Sequence, residues 1–185
     1  MATTRSAARA AVAAVCLLLG ACEGGGPTDT NATRDQARGQ VETDFYATLT
    51  RAHTTAPALR ALSTQAIGVL IFPTVITVNP VTAERTGFGA LREGAVFIDH
   101  VQITASTACT ENPDAAQAII ILFMSREALN RFRRAKPWKI EAQALLPEAA
   151  AARPGGQDVL FLVHERSRFV ALPAPCRLSV TERAF

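Results

Sequence analysis

The sequence predicts an α+β domain: a mainly antiparallel sheet or partial barrel of short strands, covered by two or three helices. Three observations carry this expectation. Two runs, Gly68-Val69-Leu70-Ile71-Phe72 and Ala118-Ile119-Ile120-Ile121-Leu122-Phe123-Met124, are continuously apolar and rich in β-branched residues, as strands buried on both faces are. Gly87 to Leu91, Arg92-Glu93-Gly94 and Ala95 to Ile98 read as strand, turn, strand. Elsewhere apolar residues recur at helical spacing instead.

In chain order, the N-terminus reads as a targeting signal. Arg5 and Arg9 precede a short apolar stretch from Ala10 to Leu19 that cannot span a bilayer. It ends in Leu19-Gly20-Ala21-Cys22, which resembles the bacterial lipobox. That resemblance implies cleavage before Cys22, acylation of Cys22 and a lipid-anchored protein facing the periplasm. The alternative is an ordinary secretory signal cut after Ala21. Residues 1–21 are thus expected to be a leader, 22–32 a Gly/Pro/Thr/Asn-rich flexible tether, and 33–185 a single domain.

Thr33 followed by Gln36 is a capping-box pattern, and Ala37, Val41, Phe45, Leu49 and Ala52 continue it as a helix. A shorter helix is expected from Pro57, burying Leu59 and Leu62. Pro73 punctuates the first apolar run, with Val75 to Val78 its continuation or return. Val101 and Ile103 suggest a further short strand, and Ser106 to Gln117 a polar loop. After the second apolar run, Ser125 offers an N-cap hydroxyl and Glu127 a first-turn carboxylate. Ala128, Leu129, Phe132 and Ala135 then fall on one side of a helix, and Arg126, Arg131, Arg133 and Arg134 on the other. Trp138 to Ala144 alternates like a strand with one wet face, Pro147 to Gln157 reads as a loop, and Val159–Val163, Phe169–Leu172 and Leu178–Val180 as short strands.

Composition limits the function. The 185 residues are 49% hydrophobic and 19% charged, enough for one real core. Arg5 and Arg9 supply two of the formal +3, so the chain beyond the leader is nearly neutral and no nucleic-acid binder by bulk charge. His53, His100 and His164 match no zinc spacing, and no metal or other cofactor is expected. His53 reads as a solvated residue near a helix end, and Asp99-His100 as a turn pair rather than an acid/base pair. Gly24-Gly25-Gly26 and Gly155-Gly156 lack the strand-to-helix context of a phosphate loop. Ser125 lacks a nucleophile's flanking glycines. No catalytic residue is assigned.

Ala66-Ile67-Gly68-Val69-Leu70-Ile71-Phe72-Pro73 and Ile121-Leu122-Phe123-Met124-Ser125-Arg126-Glu127-Ala128-Leu129-Asn130-Arg131-Phe132, with Trp138 shortly after, resemble the SYLF family. The resemblance runs from about the first helix onward. It implies a lipid-binding or membrane-associated module without enzyme activity. The family's Gly-rich stretches are replaced here by Thr77 to Arg85 and Thr104 to Pro113, which points to an altered ligand on a kept scaffold.

Two functional classes follow. One is an envelope lipoprotein that touches anionic phospholipid through Arg126, Arg131, Arg133 and Arg134. The other is a periplasmic protein-interaction or structural module on the same fold. Cys16 lies in the leader and Cys22 in the lipobox, which leaves Cys109 and Cys176 to pair in an oxidising compartment or to remain two thiols.

Overall fold

The computed structural model describes residues 28–106, 109–135, 137–152, 157–172, 175–182 and 185. Cys22, the leader, residues 22–27, Lys136 and Gly155-Gly156 lie outside these residues. Among the described residues the chain forms helices α1 (Thr28–Thr55), α2 (Pro57–Gln65), α3 (Arg126–Arg134) and α4 (Pro147–Ala151). The strands are β1 (Gly68–Asn79), β2 (Glu84–Glu93), β3 (Val96–Ala105), β4 (Gln117–Phe123), β5 (Trp138–Ala142), β6 (Val159–Glu165), β7 (Arg168–Val170) and β8 (Cys176–Glu182). They make one sheet in the order β5-β8-β3-β2-β1-β4-β6-β7, antiparallel at every pairing and curled into a half-barrel. The predicted α+β class with a partial barrel is the observed one.

Alternation along the strands makes two cores. On the inner face Leu70, Phe72, Leu91, Ile103, Ile119, Ile121, Phe123 and Phe161 pack together and are closed by Ala128, Leu129 and Phe132 of α3. On the outer face Val69, Ile71, Ala90, Ile120, Leu122 and Leu162 meet Phe45, Leu49 and Ala52 of α1, Leu59 and Leu62 of α2 and Ala150 of α4. β4 is buried at all seven positions because both faces are covered.

β1 is a single strand. Pro73 sits where its register slips against both neighbours, between Ile71 and Thr74 on the β2 side and between Phe72 and Val75 on the β4 side. A bulge is where a residue without an N–H fits inside a sheet. Glycines allow close approach beside it. A Cβ on Gly89 would lie 2.5 Å from the Ile71 carbonyl oxygen and 2.6 Å from the Phe72 ring.

Several expectations need correction. α1 begins at Thr28, within the expected tether, so Thr33 lies inside the helix rather than capping it. The polar stretch ahead of Ala37 extends a helix whose later turns pack on the sheet. Asp99 and His100 belong to β3, not to a turn. The ladder slips between Leu91 and Arg92, whose partners are Asp99 and Phe97, so a bulge absorbs Ile98 and the strand runs on through Val101 and Ile103. Pro147 to Ala151 is helical, a fourth helix, because Pro147 takes the first-turn position and alanines follow. Ala135 is exposed as the C-cap residue of α3.

Replacing Gly89 by Ala is expected to destabilise the fold by about 1–3 kcal/mol through overpacking against backbone. A fall in the urea midpoint at unchanged slope would register it, and an unchanged midpoint would refute the close-approach account.

Candidate functional site

α3 is built as its sequence suggests. The Ser125 hydroxyl accepts from the Ala128 N–H at 3.2 Å, Glu127 occupies the first turn, and Arg131, Arg133 and Arg134 the last, each charge favouring the helix dipole. Leu129 lies over Gly68, 3.1 Å from where a Cβ would stand, and Phe132 packs with Phe123 and Trp138.

The four arginines are not one free cationic face. At 100° per residue they form two stripes, Arg126 with Arg133 and Arg131 with Arg134. Folding brings up carboxylates that are distant in sequence: Arg126 pairs with Glu93 at the end of β2, and Arg131 bonds Glu127 at 2.9 Å and Asp158 at 3.1 Å. The hydrogen bond from Arg131 holds the Asp158 carboxyl below its usual range, with Ser125 assisting. Arg133 and Arg134 are exposed and have no ion pair among the described residues. They and the exposed Lys139 of β5 are what remains of the expected patch.

A groove of about 660 Å³ opens near Lys139. Cross-strand rows line it: Thr104, Ser179 and Lys139 on neighbouring strands, then Arg177 beside Glu141. Arg177 and Glu141 approach to 3.5 Å, and Thr82 and Ala83 of the β1–β2 turn, with Glu84 at the start of β2, line it as well. Its size is within the range of small-ligand sites, and its charges are of both signs. Sequence reading missed it, because its residues come from four separated stretches whose register is invisible beforehand.

The third arrangement is buried. Arg85 is wholly enclosed. Its guanidinium donates to the carbonyls of Val75 at 2.9 Å, Ala115 at 2.8 Å and Pro113 at 3.1 Å. Nearby, Thr110 donates its hydroxyl to the buried Glu165, and Cys109 and Cys176 lie with no exposed surface. The Gln117 amide, across the ladder from Glu165, has neither its oxygen nor its nitrogen paired. The Cys109 and Cys176 thiols are in hydrogen-bonding contact and are unbridged here.

The histidines are separate. His53 is half-buried, not solvated, and its Nε2 bonds Ser63 of α2 at 2.8 Å, because the α1–α2 turn folds back on it. His100 reaches Glu42 of α1 at 2.9 Å, and His164 is buried against Phe169. Burial, then Arg51, lowers the His164 pKa below its ordinary 6.5; burial likewise lowers that of His53, with Arg60 and Arg92 adding. No cluster of three or more His, Cys, Asp or Glu suited to a metal occurs among the described residues. No described helix is long and apolar enough to cross a membrane.

These features define an α+β half-barrel domain with a partly neutralised basic helix, a mixed-charge groove and a sealed polar cluster. No family model and no curated protein matches the sequence, so the SYLF resemblance stands on its two residue blocks.

Two outcomes are expected. Arg85→Lys should destabilise the fold by about 3 kcal/mol, since one ammonium cannot serve carbonyls that a planar fork reaches together; a change under 1 kcal/mol in urea unfolding would refute this. A His whose folded pKa is depressed contributes stability that is full above the unfolded value and lost as pH falls towards the folded one. Stability should therefore decline as pH falls below about 6.5, and His164→Phe should flatten that decline, read from unfolding midpoints at pH 5 and 7.5.

Proposed function

We propose that this chain is a lipid-anchored protein of the bacterial envelope, non-enzymatic, whose SYLF-like domain contacts anionic phospholipid. The observation that supports it most is the exposed end of α3, where Arg133 and Arg134 have no ion pair among the described residues and Lys139 follows closely. The lipobox-like Leu19-Gly20-Ala21-Cys22 would hold that end near a bilayer. Arg126 and Arg131 are already engaged by Glu93, Glu127 and Asp158, so the docking contribution falls to the other two arginines. Each basic residue near an anionic surface contributes about 1 kcal/mol within a Debye length of roughly 8 Å. That is weak by itself, and an acyl anchor on Cys22 would make it effective by raising local concentration.

The second reading, a periplasmic protein-interaction module, draws on the groove beside β5. Its paired Arg177 and Glu141, set among hydroxyl and apolar side chains, suit a partner segment that carries charge of its own.

Vesicle flotation separates the two. The domain from Thr28 onward, without its anchor, should float with vesicles of phosphatidylglycerol and phosphatidylethanolamine at low salt and be released at physiological salt. Arg133→Glu with Arg134→Glu should weaken that binding by at least about thirtyfold. Unchanged binding by the folded double variant, or none by the parent at low salt, removes the phospholipid reading.

A further inference from the structure

We propose that Cys109 and Cys176 are oxidised to a disulfide, and that the bridge fastens the segment following β3 across the buried end of the half-barrel. This stands apart from lipid contact. The two residues are far apart in sequence, yet both side chains are wholly buried in the same inner core. The backbone holds them there. The Cys109 N–H donates to the Ser106 carbonyl at 3.1 Å, and the Ser106 N–H donates to the Arg177 carbonyl, next to Cys176, at 3.1 Å. Cys176 is itself fixed opposite Ala142 in the β5–β8 ladder. A structural zinc site would need four ligands, and no third His, Cys, Asp or Glu joins the pair among the described residues.

The bridge would act on what the segment carries. Thr110, next to Cys109, donates its hydroxyl to Glu165, and Asn112, Pro113 and Ala115 follow. The Pro113 carbonyl accepts from both Thr77, at 2.6 Å, and Arg85, while the Ala115 carbonyl accepts from Arg85. Arg85 is wholly buried, and two of its three carbonyl acceptors depend on this segment staying in place. Covalent attachment at Cys109 anchors the segment's start to β8, and Gln117 in β4 already anchors its end.

The chemistry is thiol–disulfide exchange with a disulfide oxidant, either a thiol oxidoreductase or oxidised glutathione. One cysteine, as thiolate, attacks the oxidant's disulfide, forming a mixed disulfide and expelling one oxidant thiolate. The second cysteine, also as thiolate, then attacks the mixed disulfide at the protein sulfur and expels the other. The pair gives up two electrons and two protons, and the oxidant leaves as two thiols. In the folded, reduced chain the thiol of Cys109 is the more acidic of the two. The hydrogen bond from Cys176 lowers its pKa against the effect of burial, with Ser106 and Arg85 adding, whereas the Cys176 thiol is held far above the ordinary range. Because neither sulfur is exposed once folded, oxidation accompanies folding, and the finished bridge is shielded from reductants.

The test uses the full chain refolded from denaturant in a buffer of reduced and oxidised glutathione. It is then denatured in excess iodoacetamide and mapped by peptide mass spectrometry without reduction. A linked Cys109–Cys176 peptide is expected; alkylated or glutathionylated cysteine at both positions of folded protein overturns the bridge. Hydrogen exchange then compares oxidised with fully reduced protein. Faster exchange across Cys109 to Ala115 and at Arg85 on reduction is expected, with a fall in Tm on the order of 10 °C. Equal exchange in the two forms overturns the fastening role even where the bridge forms. Neither comparison requires a substitution that would have to fold.

Discussion

Everything in this fold follows from burying β4 on both faces. A strand whose seven positions are all buried needs cover on two sides, and no single helix layer supplies it. The chain meets the demand by curling the sheet, so that the inner face closes on itself and on α3, and by laying α1, α2 and α4 on the outer face. Apolar burial at about 25 cal/mol per Å² is the dominant favourable term, and it is concentrated where β1, β4 and β6 lie side by side. The polar features sit where this double cover ends: Arg85 and Glu165 at one rim of the inner core, and the arginines of α3 on its outward side.

What was legible in the sequence was local or periodic. The doubly apolar runs identified β1 and β4, the Ser125 cap and amphipathic spacing identified α3, and Trp138 to Ala142 alternates as read. What was not legible depends on contacts between distant segments. Glu93 and Asp158 reach α3 only through folding, so the arginines' spacing overstated their freedom. The β3 bulge that absorbs Ile98 leaves no local mark, and Asp99-His100 therefore looked like a turn. α4 had its signal in Pro147, but alanines between glycines and prolines also fit a loop.

The candidate sites show the same division. Cys109 and Cys176 were found by elimination among four cysteines, without knowledge of the β5–β8–β3 pairing that brings them together. Arg85 gave no warning. Within a stretch of alternating polar residues it looks like an outward-facing charge, and only the parity of β2, with Arg85, Gly87, Gly89 and Leu91 on the inner side, turns it inward. Burying an arginine is tolerable here because backbone carbonyls from β1 and from the segment before β4 accept from both of its terminal nitrogens.

The opening turns of α1 have a mechanical meaning. From Asn31 to Gln36 every residue is exposed, and the helix reaches the sheet only further on, near Arg38 and Glu42. Some ten residues of helix before Arg38 measure about 15 Å at 1.5 Å per residue. A rod of that length, continuous with the part clamped on the sheet, transmits orientation as well as distance. Whatever holds its far end sets the angle of the half-barrel as a handle sets a blade. The domain would then sweep a restricted cone above its attachment point rather than the full sphere open to a floppy leash.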